Sequence, residues 1–324
     1  MNEKWKGFVF LYLKNDLLQD VHVLGYGLTL RRATPEEILG TQVEFSFRSW
    51  SERRGTSNFF NQRMPQIESG SVYSGGILEN PEEWRHAVIE CSDKDILFSN
   101  VNLAFSLSDA DLRMGFVCLE GNAVSTPFID FPMLNIRNSL GAMFVDHELP
   151  STESLPEIRW NIENILSNIN TDLPSEIRKM AYLFSSLDNL PDSSLLKVLG
   201  YFSVIEGLLS HCPEGSDRVD SIQRKLIRNI KLLNNRLKKI GRGIAFDDFG
   251  DVKSETVLKK LYAFRSDIAH GGDRELSLNN ISKIRIGKKT DQDGYLWVHD
   301  WLRSMTKKLL LAAIMEPELV MDLK

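Results

Sequence analysis

The stretch KKLYAFRSDIAHGG, Lys259 to Gly272, ends a helical pattern on an arginine, a histidine and two glycines. Val257, Leu258, Leu261, Phe264 and Ile268 recur at three- and four-residue spacing and mark one buried helix face. Gly271 and Gly272 supply the stop signal. Arg265 and His270 are five residues apart, so an ideal helix sets them roughly 140° apart around the axis and about 7.5 Å along it. That is not the four-residue spacing of a zinc-binding histidine pair on one helix face. Ser266 and Asp267 do share a face with His270. Two readings compete. Arg and His are ordinary residues for a last helical turn, where the helix dipole favours cations. They are also the residue types that phosphate chemistry requires, and spacing alone does not separate these readings.

Outward from this stretch, the whole second half of the chain is helical in pattern. IRWNIENILSNI, SEIRKMAYLFSSL, SLLKVLGYFSVIEGLLSHC, DRVDSIQRKLIRNIKLLNNRLKK, SETVLKKLYAFRSDIAH and GYLWVHDWLRSMTKKLLLAAIM all carry apolar residues at helical spacing. Proline-containing breaks at LPEI, DLPS and NLPD punctuate the early ones. The first half reads mainly as strands. TQVEFSFRSW alternates apolar and polar residues, and GFVFLYLK, WRHAVIEC, NVNLAFSLS and RMGFVCLE are similar runs bounded by turn-rich segments. One helix interrupts them at RRATPEEILG, where Thr34 and Glu37 form a capping box and Pro35 takes the first helical position. The polar stretch from Ser49 to Gly76 is expected to be a mobile insertion. The expected architecture is a strand-rich α+β N-terminal domain over 1–149, followed by an all-α helical domain over 150–324.

A net charge of −5 argues against coating nucleic acid by bulk electrostatics, while leaving room for a local basic cleft. The three cysteines, Cys91, Cys118 and Cys212, are odd in number and scattered, which suits buried thiols in a reducing compartment. The apolar runs near both ends are too short to span a bilayer and the N-terminus lacks a small-residue cleavage site, so a cytoplasmic protein without a membrane role is expected.

Three other features are weaker. Gly25 and Gly27 form a lone GxG without the rest of a phosphate loop and read as a turn between strands. His211 and Cys212 have no second ligand pair at metal-site spacing and read as a helix end with a core cysteine. Neither a metal nor a cofactor is expected. Arg224, Lys225, Arg228 and Lys231 follow a helical period as a solvated face that could also hold a nucleic-acid backbone.

The whole phrase LYAFRSDIAHGG resembles the signature of the HEPN superfamily, and its form Y-x-x-R-S-x-x-x-H-G looks like the Apea-like HEPN branch. The upstream helix LGYFSVIEGLLS resembles that branch's other recurrent helix, which carries a central Glu, here Glu206. GYGLTLRRATPEEI resembles, more weakly, the N-terminal region attached to such domains. The strong part of the resemblance covers residues 150–324. It implies an all-α HEPN-type bundle that forms a homodimer through its motif helices. Many members are metal-independent endoribonucleases acting as toxins or in antiphage defence. By position, Arg265 and His270 are then the catalytic pair, with Ser266 as the polar residue after the Arg and Asp267 in support. Some HEPN domains keep the fold without cleaving RNA, so a non-catalytic adaptor that binds RNA, a nucleotide or a protein is the alternative.

The chemistry of these residues agrees with an RNA substrate. RNA carries its own nucleophile, the 2′-OH, so cleavage needs a proton shuttle and stabilisation of charge on phosphorus. Histidine titrates near neutrality, and a guanidinium offers a fork that fits phosphate oxygens. Glu206 sits in a helix apolar nearly all round, where an unpaired carboxylate is costly. It is expected to pair with Arg265, either to orient it or as a plain structural salt bridge. The N-terminal domain is expected to recognise or sense something, and an inhibitory or triggering protein partner is expected beside the RNA.

Overall fold

A computed structural model of the chain describes residues 5–9, 16–35, 37, 66–68, 71–73, 87–93, 95–108, 114–119, 151–169, 173–188, 190–191, 193–210, 219–286 and 294–323. Contacts divide the chain into two compact units. One comprises Met1–Phe98 with Leu112–Arg159, and the other Ser99–Asp111 with Trp160–Lys324.

The first unit holds the sheet. Strands β1 (Trp5–Val9), β2 (His22–Gly25), β3 (Leu28–Arg32), β6 (Ala87–Cys91) and β7 (Met114–Leu119) pair in the order β2-β3-β6-β1-β7. Every pairing is antiparallel. Along β3, Leu28 and Leu30 are buried while Thr29 and Arg31 are half-exposed, the period of two expected of a strand with one wet face. In β6, Ala87, Val88 and Ile89 are all buried, as befits a strand with neighbours on both edges. Arg31 joins Glu37 and Glu90 at 2.7 Å each, tying β3 to β6 and to the segment after it. The capping box is present: Glu37 N–H donates to Thr34 Oγ1 at 3.3 Å, and Thr34 N–H to Glu37 Oε2 at 2.9 Å. Gly25, Tyr26 and Gly27, at φ of 101°, 51° and 68°, form the tight turn between β2 and β3. Helix α1 (Asp16–Gln19) precedes β2. Within the stretch read as a mobile insertion, β4 (Gln66–Glu68) and β5 (Ser71–Tyr73) form an antiparallel hairpin. The strand expected at TQVEFSFRSW lies outside the described residues.

One expected strand is a helix. Residues Asn100–Ser106 of NVNLAFSLS lie in α2 (Phe98–Ser106), and the whole stretch belongs to the helical unit. Val101, Leu103 and Phe105 alternate as in a strand, but Asn100, Ala104 and Ser106 are buried as well. A helix enclosed on nearly every side shows no helical stripe, so its periodicity misleads. Just past its end, the buried Lys307 donates to the Ser108 carbonyl at 2.9 Å.

The helices of the second half follow the sequence pattern closely. They are α3 (Leu155–Ile169), α4 (Ser175–Leu187), α5 (Leu195–Leu209), α6 (Val219–Lys239), α7 (Ser254–His270) and α9 (Gly294–Met315). Two short helices were not apparent from periodicity, α8 (Arg274–Ser282) and α10 (Pro317–Asp322). Helix α5 is the hub, packing against α4, α6, α7 and α9. Its face toward α4 is opened by Gly200 and Gly207, where a Cβ would stand 2.3 Å from Leu187 and Met180 side-chain atoms respectively. No described helix is long and apolar enough to cross a membrane.

Candidate active site

Helix α7 buries Val257, Leu258, Leu261 and Phe264, while Ile268, expected on the same face, is only half-buried. Its end is built by glycine. Gly271 adopts φ 72°, and the N–H groups of Gly271 and Gly272 both donate to the Asp267 carbonyl, closing the orphan carbonyl of the last turn. A Cβ at position 272 would stand 2.3 Å from Asp267 Oδ1, so a side chain there would displace the Asp267 carboxylate. The Asp267 carboxylate accepts a hydrogen bond from Ser277 Oγ on α8, and Asp273 caps α8 by accepting from Leu276 N–H at 2.9 Å. Asp267 is thus engaged in holding α8 against the end of α7.

Arg265 is three-quarters buried and turns toward α5. Its Nη2 donates to Glu206 Oε2 at 3.3 Å, with side-chain exposures of 25% and 23%. The pair expected from the cost of a lone carboxylate in an apolar helix is therefore formed. The contact is single-pronged, not a fork, and the other guanidinium donors are not taken by any described residue. Glu206 Oε1 and Arg265 Nε are buried and make no hydrogen bond with a described residue.

Tyr262 completes the cluster and was missed as a site residue. Its ring lies edge-on to Phe202 at 6.1 Å and 5.8 Å from the Arg265 guanidinium, within cation–π range. The signal was present in the sequence, since a residue three before Arg265 shares its helix face. Burial pushes the Glu206 carboxyl above its ordinary value, against the opposing pull of Arg265 and a weaker one from the Tyr262 hydroxyl. Burial, then the Glu206 charge, raises Tyr262 as well.

His270 stands exposed at the last turn of α7 and makes no hydrogen bond or ion pair with a described residue. Ser266 is half-buried and likewise unbonded. The fold thus gathers Glu206, Tyr262 and Arg265 and leaves His270 facing solvent five residues on. On α6, Arg224, Arg228 and Lys231 are exposed and Lys225 is half-buried. His211 and Cys212 lie outside the described residues. Among the described residues no group of three or more His, Cys, Asp or Glu could hold a metal ion.

The Glu206–Arg265 pair makes a stability prediction. Arg265→Ala leaves a half-buried carboxylate without its counterion and is expected to cost about 1–3 kcal/mol near neutral pH. The Glu206 pKa, already raised above 4.5, rises further in the variant. A carboxyl whose folded pKa exceeds its unfolded one binds protons preferentially in the folded state, so this cost is present above the folded pKa and relieved as pH falls through it. Denaturant unfolding should therefore show a larger deficit at about pH 7.5 than at about pH 5. Equal deficits at both would show that the Glu206 charge is not the cause.

Comparison of the chain with protein-family models, with curated proteins and with solved structures returns no match.

Proposed function

We propose that the chain is a metal-independent endoribonuclease of the HEPN type, acting as a toxin or antiphage effector through Arg265 and His270 in a homodimeric site. The observation that supports this most is the state of the motif helix: Arg265 is held by Glu206 with donors that no other described residue takes, and His270, at the exposed helix end, makes no hydrogen bond or ion pair with a described residue. A held guanidinium can bind a non-bridging phosphate oxygen and stabilise the charge that builds on phosphorus. An unencumbered imidazole can take the 2′-OH proton as the 2′-oxygen bonds to phosphorus and the bond to the 5′-oxygen breaks. A second imidazole, in its acid form, protonates the departing 5′-oxygen. The products are a 2′,3′-cyclic phosphate and a 5′-OH.

Because the nucleophile belongs to the substrate, no bound metal is required for this route. Pure protein incubated with total RNA is expected to cleave it undiminished in excess EDTA and to leave 2′,3′-cyclic phosphate ends. Cleavage abolished by EDTA and restored by Mg²⁺ would show a different mechanism. The second reading, a non-catalytic adaptor, draws on the same ion pair, which braces α5 against α7 whether or not chemistry follows. An adaptor gives no cleavage under any of these conditions.

A further inference from the structure

Helix α6 carries seven Lys and Arg against the single carboxylate of Asp220, in a chain whose net charge is −5. The cations are not spread evenly around it. Arg224, Arg228, Lys231 and Lys238 lie within roughly 40° of a common direction and extend about 21 Å along the axis. All four are exposed. Arg224 and Lys238 make no ion pair with a described residue, and Arg228 reaches only its neighbour Asn229, at 3.3 Å. Lys231 meets Glu255 loosely at 3.8 Å, with both side chains about half exposed.

The rotation of the helix that points this stripe outward is fixed by its opposite side. Leu226, Ile230, Leu233 and Leu237 are buried. Asn229 Nδ2 donates to the Leu209 and Leu323 carbonyls at 2.9 and 3.2 Å, and Asn234 Oδ1 accepts from Ile244 N–H at 2.7 Å. These bonds allow little rolling of the helix.

The stripe also leads to the candidate site. Lys231 meets Glu255 in the first turn of α7, whereas Gln223 and Leu226 share an apolar pocket with Leu258, Leu261 and Tyr262. The two helices therefore run in opposite senses, and the Arg224 end of the stripe lies level with Tyr262, the residue that flanks Arg265.

From this arrangement we infer that the outward face of α6 is a track for the phosphate backbone of single-stranded RNA, leading the strand to Arg265. The inference rests on the ribonuclease reading for the identity of the strand. Its physical basis is separate: a rigid row of like charges, with Glu255 the one carboxylate partner among the described residues, on a protein of opposite net charge.

The test compares two triple variants of the full chain, each made with and without His270→Ala to allow binding to be read without cleavage. Arg224→Gln, Arg228→Gln and Lys238→Gln neutralise the track. Arg178→Gln, Lys179→Gln and Lys283→Gln remove the same charge from exposed positions elsewhere. The probe is a fluorescent mixed-sequence single-stranded RNA, followed by anisotropy over a range of salt. Each phosphate contact contributes about 0.7 to the logarithmic salt slope, so the track variant should lose about 2 from the slope and bind on the order of 100-fold more weakly at 0.1 M salt. The control triple should bind nearly as the parent does. Equal losses in both triples, or an unchanged slope in the track variant, would overturn the proposal. Cleavage by the parent at unchanged KM in the track variant would remove the track and leave the ribonuclease. RNA binding that depends on the track in a parent that never cleaves would do the reverse.

Discussion

RNA cleavage by His270→Ala is expected to fall by about 100- to 10,000-fold, the usual share of general acid–base catalysis, with the fold intact. Both halves of this expectation follow from where the residue sits. His270 is exposed and makes no hydrogen bond with a described residue, so truncating it leaves the core and the helix stop at Gly271 in place. The change in thermal stability should accordingly be within about 0.5 kcal/mol, as for a surface substitution. RNA affinity should change little, because one uncommitted imidazole is a small part of a backbone-binding surface. Activity lost without stability or affinity marks a residue that moves a proton. Unchanged cleavage by a folded His270→Ala protein would remove the ribonuclease assignment and favour the adaptor. Unfolding would instead mean that His270 is structural.

Dimers built from one wild-type and one His270→Ala subunit, isolated with two tags, should retain far less than half of the wild-type activity. Within one chain the two motif residues are turned to different tasks: Arg265 faces α5 and Glu206, while His270 projects from the end of α7. Five residues of helix separate them by roughly 140°, a poor grip on two sides of one phosphate. Cleavage by 2′-OH attack needs a base at one oxygen and an acid at another. A second copy related by a two-fold axis would bring equivalent residues opposite each other and supply the missing imidazole and a second guanidinium. If each subunit held a complete site, mixed dimers would keep half the activity, since one intact site would remain. A shared cleft that has lost one of its two histidines keeps only a small residue. Activity near half, or full activity from a monomer at assay concentration, would exclude the shared site.

Much of the helical half was legible from residue order, for a definite reason. Helices α4 and α7 each have one wet and one buried face, so apolar spacing reports their type and extent. Local chemistry was equally readable where it closes over a few residues: the Thr34–Glu37 capping box, the Gly25–Gly27 turn and the glycine stop at 271. The Glu206–Arg265 pair spans 59 positions and was still inferable, because a carboxylate in an apolar helix demands a partner and a cation stood in a matching helix.

What residue order left open was set by surroundings. Helix α2 read as a strand because it is buried on nearly every side, and full burial erases the contrast that periodicity measures. The order β2-β3-β6-β1-β7 depends on pairings between distant segments that no local pattern encodes. Tyr262 became part of the site only when α5 brought Phe202 and Glu206 against it. The charges of α6 were plain in the sequence, but their outward aim depends on the carbonyls of Leu209 and Leu323 that hold Asn229. Those partners lie 20 and 94 residues away, and the direction in which the helix faces is therefore a property of the packed bundle.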